Sequence, residues 1–154
     1  MFLTVHAASG LVIGKYVDSS ILAFLFGFIS HLLLDMVPGH DPIELKKWKK
    51  PFVYKNVIIV FFIELPLILT MLLLLNLFNK LIISWPMFWA VSGALAMDFL
   101  WGLYFLTKWK FLKIFSIVNH WSHEVFSDKL YVSWKIWLPM QLFVLAVLLF
   151  IYLL

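Results

Sequence analysis

The sequence predicts an all-α integral membrane protein: four transmembrane helices, a short N-terminal helix forming a hairpin with the second helix, and an interfacial amphipathic helix, in one membrane-embedded domain over residues 1–154. Three observations carry that expectation. Hydrophobic residues make up 64% of the chain and mean hydropathy is +1.01, well beyond a soluble domain, so lipid is the expected solvent. The apolar residues gather into runs at 20–37, 57–78, 82–107 and 131–154, each near or above the ~20 helical residues that cross a bilayer. The 12 basic residues are all lysine and fall unevenly between these runs. Lys46, Lys47, Lys49, Lys50 and Lys55 share one loop, Lys108, Lys110, Lys113, Lys129 and Lys135 lie in or beside another, and Lys15 and Lys80 stand opposite. Cytoplasmic loops are enriched in lysine, which places both basic loops and the N-terminus inside and the C-terminus outside.

Residues 2–14 form the short first element, roughly 20 Å of helix against a ~30 Å hydrocarbon core. No basic residue precedes its apolar stretch and His6 interrupts it, so MFLTVHAASG reads as retained structure rather than a signal peptide. A turn at 15–19 leads into the run 20–37, which ends in His31 and Asp35. The basic loop 39–56 contains KKWKK around Trp48; beside a membrane, an anionic lipid surface accounts for it without nucleic acid. In the run 57–78, Glu64 precedes Pro66, whose missing N–H suits a structural or water-filled kink as readily as catalysis. The run 82–107 carries Asp98. In the linker 108–129, Phe111, Phe115, Val118 and Trp121 contrast with Lys113, Ser116, His120, His123 and Ser127, the pattern of an amphipathic interfacial helix.

Small residues recur every four positions in three of these elements: His6, Gly10, Gly14; Ala23, Gly27, His31, Asp35; and Ala90, Ala94, Asp98, Gly102. That spacing lets helix backbones approach closely in lipid. The His6–Gly10–Gly14 face is expected against the Ala23–Gly27–His31 face.

Each stripe also carries an ionisable group, and such groups are costly in lipid unless they serve a site. His31 and Asp35, four apart on one helical face, can meet one metal ion or water. A hairpin turning near Asp18 brings His6 to the depth of His31, and Asp98 falls in the same leaflet. His40 and Asp41 are expected to border this point from the loop, and His120 or His123 to close it from the interfacial helix. The candidate metal ligands are thus His6, His31, Asp35, His40, Asp41, Asp98, His120 and His123, with Asp35, Asp98 and His40 as the catalytic candidates. With no cysteine in the chain, disulfides and thiolate sites are excluded. Imidazole and carboxylate ligands favour a divalent ion, zinc foremost, with manganese or iron as alternatives, over copper(I). Ser9 and Ser30 adjoin the two histidines in sequence, but neighbours on a helix point different ways.

The segments TVHAASGLVIG (4–14) and LAFLFGFISHLLLDMVPGHD (22–41) resemble the N-terminal third of the small bacterial membrane proteins classed as membrane-bound metal-dependent hydrolases. The resemblance implies a metal site containing His6, His31, Asp35, His40 and Asp41, a hydrolytic activity, and a bacterial-type inner membrane location. The His-xxx-Asp element is also similar to one in zinc-dependent phospholipases C. Many relatives in the first group carry a His-Arg-Gly-x-Thr-His-Ser stretch, for which NHWSHE (119–124) is a loose substitute in this arginine-free chain.

The reading that joins these expectations is hydrolysis by metal-bound water at the cytoplasmic membrane interface, a carboxylate acting as general base. A site at headgroup depth suits an amphiphilic substrate, with a phosphoester or other lipid-headgroup ester the first expectation. Two other classes fit the same residues. A metal or proton transporter also places His and Asp in lipid, but needs polar groups in both leaflets. A structural or interaction module with a degenerate site would hold no stoichiometric ion.

Overall fold

The computed structural model describes residues 1–37, 60–127 and 132–154, and every regular element among them is helical. Helix α1 spans Leu3–Tyr16 and α2 spans Ser20–Asp35. A π-helical turn, Val60–Glu64, runs into α3, Leu65–Leu77. Helix α4 spans Trp85–Thr107, a 3₁₀ turn at Lys110–Leu112 leads into α5, Lys113–Ser127, and α6 spans Trp134–Leu153.

Local chemistry sets these boundaries. Ser19 and Ser84 cap α2 and α4 through side-chain oxygens that accept from the backbone N–H of Leu22 and Met87, satisfying donors that a helix start leaves open. Pro86 follows Ser84 in the first turn of α4, where a proline loses nothing by lacking its N–H. Lys108 ends α4 in the left-handed conformation at φ 55°, and its N–H bonds back to the Tyr104 carbonyl. Pro66 likewise opens α3. It starts a helix after the π turn, where the sequence suggests a kink inside one.

Two helices are long and apolar enough to cross a membrane, α4 and, within α6, Lys135–Leu153. The apolar helices Ser20–Asp35 and Phe62–Leu77 are shorter. Four full-length spans are therefore not what the described residues carry. The run at 20–37 gives helix only as far as Asp35, ahead of Pro38 in the sequence, which disfavours helix in the residue before it. The run at 57–78 is divided by the π turn, and its first residues, 57–59, lie outside the described residues.

The bundle has an apolar core that includes Leu11, Ile68, Met71 and Met87, but it also buries many small and polar residues and leaves large apolar ones outside. Buried positions include Ala8, Ala23, Ala90 and Ala94 together with His6, His31, Asp35, Ser122 and Gln141, while Ile21, Phe26, Ile29, Leu69, Phe99 and Phe143 point outward. Small and polar residues inside with large apolar residues outside is the arrangement lipid favours. In water it would expose a far larger apolar patch than a monomer tolerates.

Helix α4 lies at the centre, with α1 and α2 packed on it, α5 against its C-terminal half and α6 against α1. The small-residue stripes explain the closeness, with one correction. A Cβ on Gly10 would stand 2.7 Å from Val91 Cα, and one on Gly27 would stand 2.2 Å from the Ala90 carbonyl oxygen. Both glycines thus face α4 rather than each other. Gly102, the last member of the α4 stripe, has nothing within 4 Å of such a Cβ. Helices α1 and α2 still meet, through a 3.1 Å contact between Ser9 Oγ and Ser30 Oγ, as the expected hairpin requires.

Helices α1 and α6 run parallel. The Phe2 N–H donates to Gln141 Oε1 at one end, at 3.0 Å, and Lys15 Nζ donates to the Tyr152 carbonyl at the other, at 2.8 Å. Tyr152 also donates its hydroxyl to the Lys80 carbonyl and accepts from the Ile82 N–H, tying the α3–α4 connection to that second end. Residues 1 and 154 consequently lie at opposite ends of the bundle.

Candidate metal centre

Three helices bring ionisable groups to the first end. His6 leaves the first turn of α1, His31 and Asp35 the last turns of α2, and Asp98 the second half of α4. The absence of a side chain at Gly27 lets α2 lie close against α4 one turn before His31, so glycine at that position sets how near the imidazole comes to Asp98. The His6 and His31 rings stack with centroids 4.1 Å apart and planes 25° from parallel. Both residues are 0% exposed.

Asp35 binds this cluster together. Its Oδ1 lies 3.1 Å from His6 Nε2 and pairs with the Met1 ammonium, while its Oδ2 lies 2.9 Å from His31 Nε2 and 3.3 Å from His123 Nε2. Asp98 Oδ1 stands 3.9 Å from His31 Nε2, with its side chain 29% exposed. One ligand atom from each of His6, His31 and Asp98 falls within a group whose members are all within 4.8 Å of one another, close enough to hold a metal ion.

The hydrogen bonds fix how the imidazoles face that point. The Ala94 carbonyl can only accept, so His31 donates to it from Nδ1, at 2.8 Å. In a neutral ring this leaves the Nε2 lone pair turned toward the carboxylates of Asp35 and Asp98. Nε2 makes no aligned hydrogen bond among the described residues despite its 2.9 Å approach to Asp35. A lone pair facing two carboxylates calls for positive charge between them, which a proton on Nε2 or a metal ion supplies. A backbone carbonyl orienting one nitrogen so that the other is free is the usual setting of a metal-ligating histidine. His6 shows the complementary pattern: Nε2 faces Asp35, and Nδ1 is buried without a partner among the described residues. The residues present therefore fit a divalent cation.

The other expected members divide. His123, half-buried on α5, reaches Asp35 and closes the cluster. His120, one turn earlier, is exposed and is not in the group that converges. His40 and Asp41 lie outside the described residues.

Helix α5 turns differently from its sequence pattern. Asn119 and Ser122 are buried against the bundle, whereas Ile114, Ile117 and Trp121 face outward. The two faces read from the sequence are not separated: Lys113 and His120 of the polar set are exposed, while Phe115 and Val118 of the apolar set are partly buried beside Ser116 and His123. Glu64, expected at a kink, instead accepts from the Thr4 N–H at 3.2 Å and from the Thr4 hydroxyl at 2.8 Å, satisfying an open donor at the start of α1. Ser9 and Ser30 hydrogen-bond each other and backbone carbonyls of their own helices. Gln141 is the buried polar residue that sequence reasoning passed over. Its only signal was an amide alone in an otherwise apolar helix.

Compared with protein-family models, curated proteins and solved structures, the chain matches none.

Proposed function

We propose that this chain is a membrane-bound metal-dependent hydrolase of the small bacterial type its N-terminal segments resemble. It is embedded in the cytoplasmic membrane, with its active site at the cytoplasmic boundary and a lipid-headgroup ester or phosphoester as substrate. The observation that carries the reading is the orientation of His31, whose Nδ1 is tied to the Ala94 carbonyl so that Nε2 faces Asp35 and Asp98 beside the stacked His6. His6, His31 and Asp98 would hold the ion, zinc by ligand type. When bound, a divalent ion supplies an acidified water and polarises the ester.

The chain's own residues divide the remaining work. Asp35, engaged by two imidazoles and the Met1 ammonium, fixes the rings. Asp98 is the partly exposed carboxylate of the group, the ligand that lies nearest to where substrate arrives. The bundle excludes bulk water from the imidazoles, which strengthens each charge interaction among them. The transport reading is the weaker one: the described ionisable cluster sits at one end of the bundle, while the other end presents Lys15, Lys80 and Tyr152.

Metal analysis of detergent-purified protein is the deciding experiment. The wild type, reloaded with zinc and desalted, is expected to retain a stoichiometric ion that His31→Ala does not. Asp98→Asn, which removes one of the proposed ligands, should lower both zinc retention and hydrolysis of a phosphodiester lipid in mixed micelles. A wild-type protein that retains no ion overturns the metal site. An ion retained without hydrolysis of phosphodiester or carboxyl-ester lipids overturns the hydrolase.

A further inference from the structure

On the face of α1 away from the metal centre, a groove of about 890 Å³ runs between α3 and α6. Its walls are apolar along most of their length, formed by residues such as Met71, Leu75, Leu145 and Leu149; Thr4, Glu64 and Gln141 meet at one end, Thr70 lies along the wall and Lys80 stands at the other end. The first three polar residues lie at the depth of the metal centre, since Thr4 precedes His6 by two residues, or ~3 Å of helix rise. A groove with a cluster of neutral and acidic polar groups at one end and a long apolar stretch beside it matches an amphiphile lying along the bundle.

The polar end has an unfilled valence. Gln141 is 1% exposed, and its Oε1 accepts from the Phe2 N–H, which fixes the orientation of the amide. Its Nε2 is then turned away from that bond and has no partner among the described residues. A buried amide donor without an acceptor is costly. Glu64 does not supply the acceptor: its Oε2 accepts from Thr4, and neither of its oxygens bonds Nε2 among the described residues. Gln141 lines the groove end, where a neutral acceptor would complete this amide, and the neighbouring Glu64 carboxylate disfavours an anionic one.

We infer that this groove binds one acyl chain of an ester lipid, with the ester carbonyl accepting from Gln141 Nε2 and the chain lying between α3 and α6. The inference rests on the membrane reading of the chain and not on hydrolysis. It places a lipid's ester linkage at the level of the ionisable cluster, with α1 between them. The volume is within the range of sites that enclose a small molecule.

The test uses full-length protein in nanodiscs of phosphatidylglycerol doped with an ester phospholipid bearing a diazirine on its acyl chain, the cross-links being mapped by mass spectrometry. Groove residues Met71 and Leu145 should be labelled about five-fold more than the outward-facing Leu33 and Phe99, and an ether-linked analogue should lose about that factor, the worth of one hydrogen bond. Gln141→Leu should abolish the ester preference, and Leu145→Trp should block groove labelling by filling it. Zinc retention by both variants reports that the bundle is intact and keeps this result separate from that of the metal site. Equal labelling of groove and outer faces, equal labelling by ester and ether lipids, or cross-links from the groove to residues 38–59 or to a second copy of the chain would each overturn the inference.

Discussion

Asp35 shows why a single carboxylate organises this bundle. Its two oxygens meet both buried imidazoles, His123 and the Met1 ammonium, so removing its charge strands several groups at once. Breaking a buried ion pair from one side costs about 3–5 kcal/mol, because the partner remains buried and uncompensated. Asp35→Asn is therefore expected to lower stability by about that amount in thermal unfolding in detergent, and to release metal. Ser9→Ala offers the contrast. It removes one neutral contact to Ser30, should cost about 1 kcal/mol, and should leave metal retention intact. Were the two variants equally destabilised, the cluster would be held by packing rather than charge. The His31–Asp35 pair was legible in the sequence because it is local: four residues on one helix meet whatever the tertiary fold. The link to Ala94 was not, since a backbone carbonyl leaves no mark in the residue pattern.

At the scale of elements, the small-residue stripes tell where helices approach but not which helices meet. Gly10 and Gly27 were expected to face one another and instead both face α4, because three helices share the seam and period-four spacing is the same for every pair. The consequence is measurable. A Cβ at Gly27 would stand 2.2 Å from a backbone carbonyl oxygen, an atom that moves only if the helix does. Gly27→Ala should thus cost about 2 kcal/mol or more, as overpacking does, and displace His31 enough to weaken metal retention. Gly102 lies within α4 and meets nothing within 4 Å. Gly102→Ala should gain about 0.5–1 kcal/mol from helix propensity alone. Detergent unfolding curves of the two variants should move in opposite directions. If Gly27→Ala proved neutral, the close α2–α4 packing would be wrong.

For the whole molecule, the parallel course of α1 and α6 separates residue 1 from residue 154 by the length of the bundle. Combined with the lysine asymmetry, this predicts that a reporter fused after Leu154 registers outside the cytoplasmic membrane and one inserted within residues 46–50 registers inside. Both reporting from one side would remove the proposed orientation, and with it the cytoplasmic placement of the metal centre.

The sequence by itself determined the helical class, the apolar exterior, the small-residue seams and the list of costly ionisable groups, because composition and helical period act locally and lipid penalises the same residues in every fold. Only the tertiary structure decided which of those groups meet. It gathered His6, His31, Asp35, Asp98 and His123, left His120 exposed, buried Asn119 and Ser122 of α5 and set Gln141 at the end of a groove. The physical reason is that convergence depends on the rotation of each helix about its own axis. That rotation is settled by the close backbone packing at Gly10 and Gly27, which leaves no room for a Cβ, and by hydrogen bonds between residues more than sixty positions apart, such as His31 to Ala94 and Phe2 to Gln141.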